Sequence, residues 1–434
     1  MTFKETIEYL YSQLPMFHHI GKAAYKANLD NITKLAESLG NPQHKFKSIH
    51  IAGTNGKGSV SHMLASILQE AGFKTGLFTS PHLLDFRERM RINGKMISEE
   101  FIIDFVKDKK HLLDTIKPSF FEMTTAMAFD YFAKENIEIA VLETGLGGRL
   151  DATNIVNPIV SAITNISYDH TDILGETLEL IAGEKAGIIK PNVPVIIGES
   201  SSETRQVFIT KARENNSKLI FAEEAYSLEN SSVSYPDYQT INLKKSGKQK
   251  SIQYKIDLLG NYQTKNLITV LTILDEIRNA GININEKAEF AGLERTVKNT
   301  GLMGRWQILG NNPIIIADTG HNVEGLKAVI KQLKKLPCKK LLIVYGMVKD
   351  KDVRKALSVL PKNAIYFFTK AAIPRALNEQ ILLQEGKMMY LTGKSFPTVK
   401  EALNAARSQA QSEDCIYIGG STFMVGEAIM EFSK

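Results

Sequence analysis

The chain has 434 residues, 43% of them hydrophobic and 23% charged, as expected for a soluble globular protein of two or three domains. Its net charge of +6 and pI near 8.9 come from basic and acidic residues mixed along the chain, a balance that suits anionic small molecules and argues against nucleic-acid or membrane partners. Two cysteines without a CxxC pair argue against a disulfide framework or a cysteine-ligated zinc site. The charged N-terminus MTFKETIEYLYSQLP is no signal peptide, no apolar run reaches about 18 residues, and a reducing cytoplasm is the expected location.

Short apolar runs alternate with helical patterns in the first 220 residues. Strands are predicted over 48–52, 75–79, 138–143, 159–164, 195–198 and 218–221. Helices are predicted over 59–71, 98–116, 124–136, 178–188 and 204–215. This alternation predicts an α/β fold with a mostly parallel sheet covered on both faces. Residues 223–256 are polar and weakly alternating, which predicts a β-hairpin or small antiparallel excursion. A long helix then runs to Gly281, and a second covers 286–298. A second strand–helix cycle follows, with strands in PIIIADTG, KKLLIVYGM, AIYFFTK and CIYIGG. The predicted architecture is a P-loop Rossmann-like N-terminal domain, residues 1–298, and a smaller Rossmann-like α/β C-terminal domain, residues 299–434.

HIAGTNGKGSV runs from strand to glycine-rich turn to helix. Backbone N–H groups at such a helix start cradle phosphates, glycines let the chain approach closely, and Lys57 adds a positive charge. An ordinary βα turn is the alternative. A standard P-loop carries Ser or Thr after Gly-Lys; here Gly58 holds that position and Ser59 comes one residue late. Ser80 follows the strand KTGLFT at its C-terminal end, where open α/β sheets collect ligands, although a plain turn also explains it. Glu143 closes the strand IEIAVLE before a run with Gly145, Gly147 and Gly148. A carboxylate there fits an oxygen ligand for Mg²⁺, or a solvated surface group. His170 follows a third strand and is a candidate metal ligand or a structural histidine. Lys185 sits among apolar residues. A desolvated lysine is nucleophilic and can take up CO₂ as a carbamate, while a salt bridge with Glu184 or another acid is the plainer alternative. In the second half, Asp318 can pair with ribose hydroxyls and Arg305 with phosphate; an interdomain salt bridge accounts for them equally.

AGTNGKGS, TSPHL with RERMRING, FFEMTTAMAF, ETGLGGRLDATN, ITNISYDHTDILGETLELIAGEKAGIIK, GNYQTKN, GRW, DTGHN and GMVKDKD occur in one order. Together they resemble the folylpolyglutamate synthase / dihydrofolate synthase family of the Mur ligase superfamily over most of residues 18–350. The resemblance implies an ATP-dependent ligase that joins L-glutamate to dihydropteroate or to the glutamate tail of reduced folates through an acyl phosphate, releasing ADP and phosphate. It implies ATP contacts from Thr54, Asn55, Gly56, Lys57, Gly58, Ser59, Asn266, Arg305, Asp318 and His321. One Mg²⁺ would be held by Ser80 and Glu143, and a second by Glu143, His170 and Lys185 as a carbamate. Lys57, Glu143, His170 and Lys185 would carry catalysis. The pterin end would lie near Phe121, Glu122, Leu150, Asp151 and Ala152.

GGRLDATN resembles the version in bifunctional members, so both glutamate additions are expected, with folylpolyglutamate synthase activity alone as an alternative. Another Mur-type amino-acid ligase is a further alternative. The roughly 50 residues before the phosphate loop leave no room for a UDP-binding domain. A non-catalytic nucleotide binder would have no use for Lys57, Glu143, His170 and Lys185 together. Small-molecule substrates and a monomer complete the expectation.

Overall fold

The computed structural model describes residues 1–14, 28–349 and 351–432. Residues 18–27, where the resemblance begins, therefore lie outside the described residues. The chain divides into two compact units. The first holds 1–232, 240–257 and 264–301; the second holds 233–239, 258–263 and 302–434. The two short pieces lent to the second unit by the polar region and its exit were not legible in the sequence. No helix among the described residues is long and apolar enough to cross a membrane.

The first unit is built on β1 (Lys47–Ala52), β2 (Thr75–Phe78), β3 (Met90–Ile92), β4 (Lys95–Met96), β5 (Ile139–Glu143), β6 (Val160–Ile163), β7 (Val195–Ile197) and β8 (Leu219–Phe221). They form one sheet in the order β4-β3-β2-β5-β1-β6-β7-β8. From β2 to β8 the pairings are parallel; β3 and β4 add an antiparallel edge. Five of the six residues of β1 and all five of β5 are buried, which is why these strands read as continuous apolar runs. The β3–β4 edge was not predicted, but its turn is Asn93-Gly94 with φ of 46° and 74°, the Asn-Gly signal of a tight hairpin.

Chain order places the functional loops. The chain leaves β1, crosses to β2, returns to β5 beside β1, and then crosses to β6 on the other side of β1. The C-terminal ends of β2, β5, β1 and β6 therefore lie side by side at a switch point, where ligands gather in open α/β sheets.

The helix Lys57–Glu70 is buried from Ser59 through Leu68. One side meets the sheet, and the other meets the helices Glu286–Glu294 and Thr296–Thr300. These last two replace the single helix predicted over 286–298. His62 Nδ1 lies 2.8 Å from Thr300 Oγ1, and Ser66 donates to the Gly292 carbonyl at 2.6 Å. Burial on both sides leaves no polar stripe on this helix, and its buried His62 and Ser66 find hydrogen-bond partners in the packed helices. The helix predicted to begin at 124 starts earlier, at Phe120: Ser119 and Glu122 close a reciprocal capping box.

The polar region forms a three-stranded sheet from β9 (Tyr226–Ser234), β10 (Tyr238–Lys245) and β11 (Ser251–Ile256), in the order β11-β10-β9.

The second unit carries β12 (Gln307–Asn311), β13 (Ile314–Asp318), β14 (Leu341–Tyr345), β15 (Ile365–Phe368), β16 (Thr392–Ser395) and β17 (Cys415–Gly419). Their order is β12-β13-β17-β14-β15-β16, parallel except for β12 against β13. The unpredicted strands β12 and β16 are the two edges, with half-open faces and no apolar run to announce them. The helix Glu379–Met388 was also not predicted.

A Cβ added at Gly292 would sit 2.5 Å from Ile67 Cα, so backbone must shift to admit it. Gly292→Ala is expected to destabilise the protein by roughly 1–3 kcal/mol in thermal unfolding. Gly183, inside the helix Leu178–Ala186, has nothing within 4 Å of such a Cβ. Gly183→Ala is expected to stabilise by up to about 1 kcal/mol in the same measurement.

Candidate active site

The phosphate-type loop leaves β1 at Gly53 and enters the helix at Lys57. Gly56 is the N-cap with φ 88° and no side-chain cap, so the first helical N–H groups remain available to an anion. Two glycines are sterically required here. A Cβ at Gly56 would meet Asn266 Oδ1 at 2.3 Å, and one at Gly53 would meet Thr164 Oγ1 at 1.9 Å. Asn266 thus stands against the loop, brought there by the start of the helix Gln263–Asn279.

The segment after β6 fastens the loop in place. Thr54 N–H donates to the Asn165 carbonyl at 2.9 Å, and Asn55 N–H to Asn165 Oδ1 at 2.9 Å. Thr164 Oγ1 donates to the Asn55 carbonyl at 2.5 Å. Thr54 Oγ1 accepts from Ser167 N–H at 3.1 Å and donates to the Ser167 carbonyl at 3.2 Å. Thr164, Asn165 and Ser167 were not singled out from the sequence. The signal was the polar run TNIS immediately after a buried strand.

Two amines converge on one oxygen. Lys57 Nζ donates to the Gly53 carbonyl at 3.1 Å and to the Thr54 carbonyl at 3.3 Å. Lys185 Nζ donates to the same Gly53 carbonyl at 2.9 Å. Lys185 is buried. Burial first, and then the Lys57 charge, pulls its pKa down to about 7, against the opposing pull of Asp169 and Asp151. The salt bridge of Lys185 with Glu184 is not formed; Glu184 pairs with Arg149 at 2.8 Å.

Glu143 ends β5 in a buried position, and its Oε2 accepts from Ser80 N–H at 3.2 Å. The sheet order thus brings Ser80 and Glu143 together across the β2–β5 pair. Arg89, present in RERMRING but not singled out from the sequence, is buried nearby. Its Nε donates to His82 Nδ1 at 2.8 Å, and its guanidinium lies 5.3 Å from the centre of the Phe120 ring. Burial lowers its pKa to about 10, with Tyr11, Glu143 and Glu88 acting in the other direction. His170 N-caps the short helix Thr171–Leu174 with φ 49°, and its Nε2 lies 3.9 Å from Asp169 Oδ1.

Among the described residues, no group of three or more His, Cys, Asp or Glu side chains is arranged to hold a metal. A divalent ion at Glu143 and Ser80 would therefore complete its shell from outside this residue class. That donor set fits Mg²⁺, which takes one or two carboxylates and shares the phosphates of a nucleotide.

The residues expected near a pterin have defined local tasks. The Phe121 ring covers Gly145, where a Cβ would meet it at 2.5 Å. Glu122 Oε2 accepts from Ser119 N–H at 2.7 Å, while its buried Oε1 has no hydrogen-bond partner. Asp151 accepts from Leu146 N–H at 2.8 Å and from Thr153 N–H at 3.0 Å. It caps the short 3₁₀ helix Ala152–Ile155. Leu150 is half-buried and Ala152 buried on either side of it.

In the second unit, Asp318 closes β13 beside Gly419 of β17. Its Oδ2 accepts from Tyr262 O–H at 2.6 Å and Trp306 N–H at 2.8 Å, and its Oδ1 from Gly320 N–H at 2.8 Å. These bonds hold Trp306 at φ 48°, a left-handed conformation rare for so bulky a residue. Burial raises the Asp318 pKa, opposed by these bonds and the Arg305 charge. Arg305 Nη1 donates to the Gly304 carbonyl at 3.2 Å and to Thr319 Oγ1. His321 Nδ1 lies 3.1 Å from the Thr319 carbonyl. Arg305, Asp318 and His321 thus form one local group in this unit, with Asp318 already committed to the loops around it.

Comparison with known proteins gives this geometry its context. Residues 51–274 match the model of the Mur ligase middle domain, and 304–422 that of the Mur ligase glutamate ligase domain. The chain is 30% identical to the dihydrofolate synthase/folylpolyglutamate synthase of Bacillus subtilis over 431 residues, covering 94% of this chain and 95% of that protein. It is 31% identical to a probable bifunctional folylpolyglutamate synthase/dihydropteroate synthase of Haloferax volcanii over 99% of this chain, and spans 50% of that longer protein. It superposes on the bifunctional folylpolyglutamate synthase/dihydrofolate synthase of Yersinia pestis, solved with Mn, AMPPNP and L-glutamate bound. The TM-score is 0.84 and the identity 27%, covering 100% of this chain and 98% of that one. The chain belongs to the Mur ligase family, in its folylpolyglutamate synthase/dihydrofolate synthase branch.

Proposed function

We propose that the protein is an ATP-dependent amide ligase that adds L-glutamate to dihydropteroate and to the glutamate tail of reduced folates. The observation that carries the proposal is the pair of lysine amines on the Gly53 carbonyl, in the unit whose β5 ends on Glu143 beside Ser80. The bifunctional reading is supported by GGRLDATN and by the activities named for the Bacillus subtilis relative. The substrates are small molecules, and the reading takes the protein as a monomer.

A carboxylate is a poor electrophile, so it must be activated before an amine can attack it. The acceptor carboxylate attacks the γ-phosphorus of ATP and releases ADP. The glutamate amine then attacks the acyl carbon, and phosphate leaves with the bonding pair. The chain contributes mainly position and charge. Gly56, Gly58 and Ser59 at the helix start present N–H groups to the phosphates, Thr54 and Asn55 form the part of the loop held by Asn165, and Lys57 neutralises charge on the phosphates as it shifts to the transferring oxygens. Asn266, against Gly56, borders the nucleotide. Ser80 and Glu143 would hold one Mg²⁺, and Glu143, His170 and Lys185 as a carbamate a second; when bound, these ions supply charge neutralisation to the phosphoryl group. Phe121, Glu122, Leu150, Asp151 and Ala152 line the acceptor end. Arg305 and His321 supply polar ligand contacts in the second unit, with Asp318 holding their loops.

The carbamate reading rests on the depressed pKa of Lys185. CO₂ reacts with the neutral amine, and a lysine with pKa about 7 is about half neutral at pH 7, whereas an ordinary one near 10.4 is almost wholly protonated. The product replaces one of two crowded cations with an anion.

An assay with ATP, labelled glutamate and either dihydropteroate or a reduced folate decides the function. ADP release that depends on both glutamate and acceptor is expected with each acceptor; absence of turnover with both contradicts the proposal. Glu143→Gln should lower turnover by roughly 10²–10³-fold or more while the melting temperature stays within a few degrees. Retained turnover would remove Glu143 from the metal site. With ¹³C-labelled bicarbonate at pH 8, a carbamate resonance should appear in the ¹³C spectrum, fade as the pH falls below 7 and the amine protonates, and be absent in Lys185→Ala. That variant should be inactive and partly restored by a short carboxylic acid.

A further inference from the structure

The proposed reaction gives no task to the buried His50. His50 lies within β1, fully inaccessible, two residues before the end of the strand that feeds the phosphate loop. Strand neighbours Ile49 and Ile51 point to the opposite face. His50 Nε2 lies 2.8 Å from Thr153 Oγ1, and its Nδ1 is buried without a hydrogen-bond partner. Burial, together with the Lys190 charge, lowers its pKa to about 3, so the ring is neutral near pH 7.

Thr153 Oγ1 lies 2.5 Å from Asp151 Oδ1. The Asp151 carboxylate accepts from Leu146 N–H, Thr153 N–H and Gly145 N–H as well. Burial raises the Asp151 pKa, opposed by these hydrogen bonds; with three backbone N–H groups directed at it the carboxylate acts as acceptor, and the single Thr153 hydroxyl proton points at Asp151. The Thr153 oxygen is then the acceptor for His50, whose proton must be on Nε2. That assignment agrees with the unpartnered Nδ1, which is left as a bare lone pair. The relay runs His50 to Thr153 to Asp151, and from there to the backbone of Gly145 and Leu146, two and three residues after Glu143.

We propose that His50 is a positioning residue for the ligase reaction: through Thr153 it fixes the Asp151 carboxylate, and thereby the 145–151 loop that presents the acceptor-binding edge beside Glu143. The proposal rests on the acceptor assignment made above. The same strand thus sets both reactants, the nucleotide through its C-terminal end and the acceptor through its buried imidazole. An apolar residue would satisfy packing at this position without leaving a buried nitrogen unpaired, which sets the relay apart from simple core filling.

Two pairs of variants of the full chain test it. His50→Leu and Thr153→Val break the relay; His50→Gln and Thr153→Ser keep a donor and a hydroxyl. The broken pair should raise KM for dihydropteroate at least about tenfold, the scale on which outer-shell partners act, while KM for ATP stays within about twofold. Hydrogen–deuterium exchange of the Leu146 amide should speed up about tenfold in the same variants, in line with a loosened loop. The conservative pair should stay near wild type in both measurements. Equal changes in both KM values, unchanged Leu146 exchange, or failure of both conservative variants to restore it would overturn the proposal. If His50→Leu does not fold, the near-isosteric Thr153→Val carries the test. If the wild type itself shows no turnover, the ligase reading fails, and Leu146 exchange alone decides whether the relay exists.

Discussion

Two lysine ammonium groups share one backbone oxygen, and the first unit is arranged around that crowding. Lys57 and Lys185 both donate to the Gly53 carbonyl. Like charges this close repel, and burial removes the water that would screen them. The lysine that is buried gives way, and its pKa falls to about 7. A place that concentrates positive charge in this way favours an anion at each amine. In the proposed reaction, phosphate at Lys57 and a carbamate at Lys185 would meet that demand, and both would be negative beside the proposed divalent ion.

The sheet order makes the crowding possible. β5 lies between β2 and β1, so Glu143 ends beside Ser80 on one flank and beside the phosphate loop on the other. β6 lies on the far side of β1, and the residues after it tie down Thr54 and Asn55. Gly53 and Gly56 admit Thr164 and Asn266 so closely that any side chain there would displace them. The proposed mechanism takes the hydroxyl missing after Gly56-Lys57 from Ser80, whose N–H donates to Glu143, in place of the residue after the lysine in a standard P-loop.

What the sequence revealed follows from burial. Central strands such as IEIAVLE are sealed on both faces and read directly, whereas the edges β12 and β16 are half open and carry no comparable signal. Candidate residues at strand ends were legible because polar or charged groups interrupt apolar runs there, as at Ser80 and Glu143. Their partners were not: the hydrogen bonds that turn Asp151 and Asp318 into loop organisers join residues by backbone geometry, which leaves no spacing rule to read. Glu122 shows the same effect, since its place in a capping box with Ser119 emerges only once the helix is seen to start at Phe120. Lys185 was ambiguous because its neighbour Glu184 offered an obvious partner; in the fold that carboxylate turns to Arg149.

The shared carbonyl can be tested without substrate or nucleotide. Lysine side chains labelled with ¹³C can be titrated by NMR in CO₂-free buffer, with Lys185 assigned by its absence in Lys185→Ala. The account predicts a midpoint near 7 for Lys185, moving upward in Lys57→Met as the neighbouring charge is removed. A midpoint in the ordinary lysine range near 10.4, or one indifferent to Lys57, would contradict it.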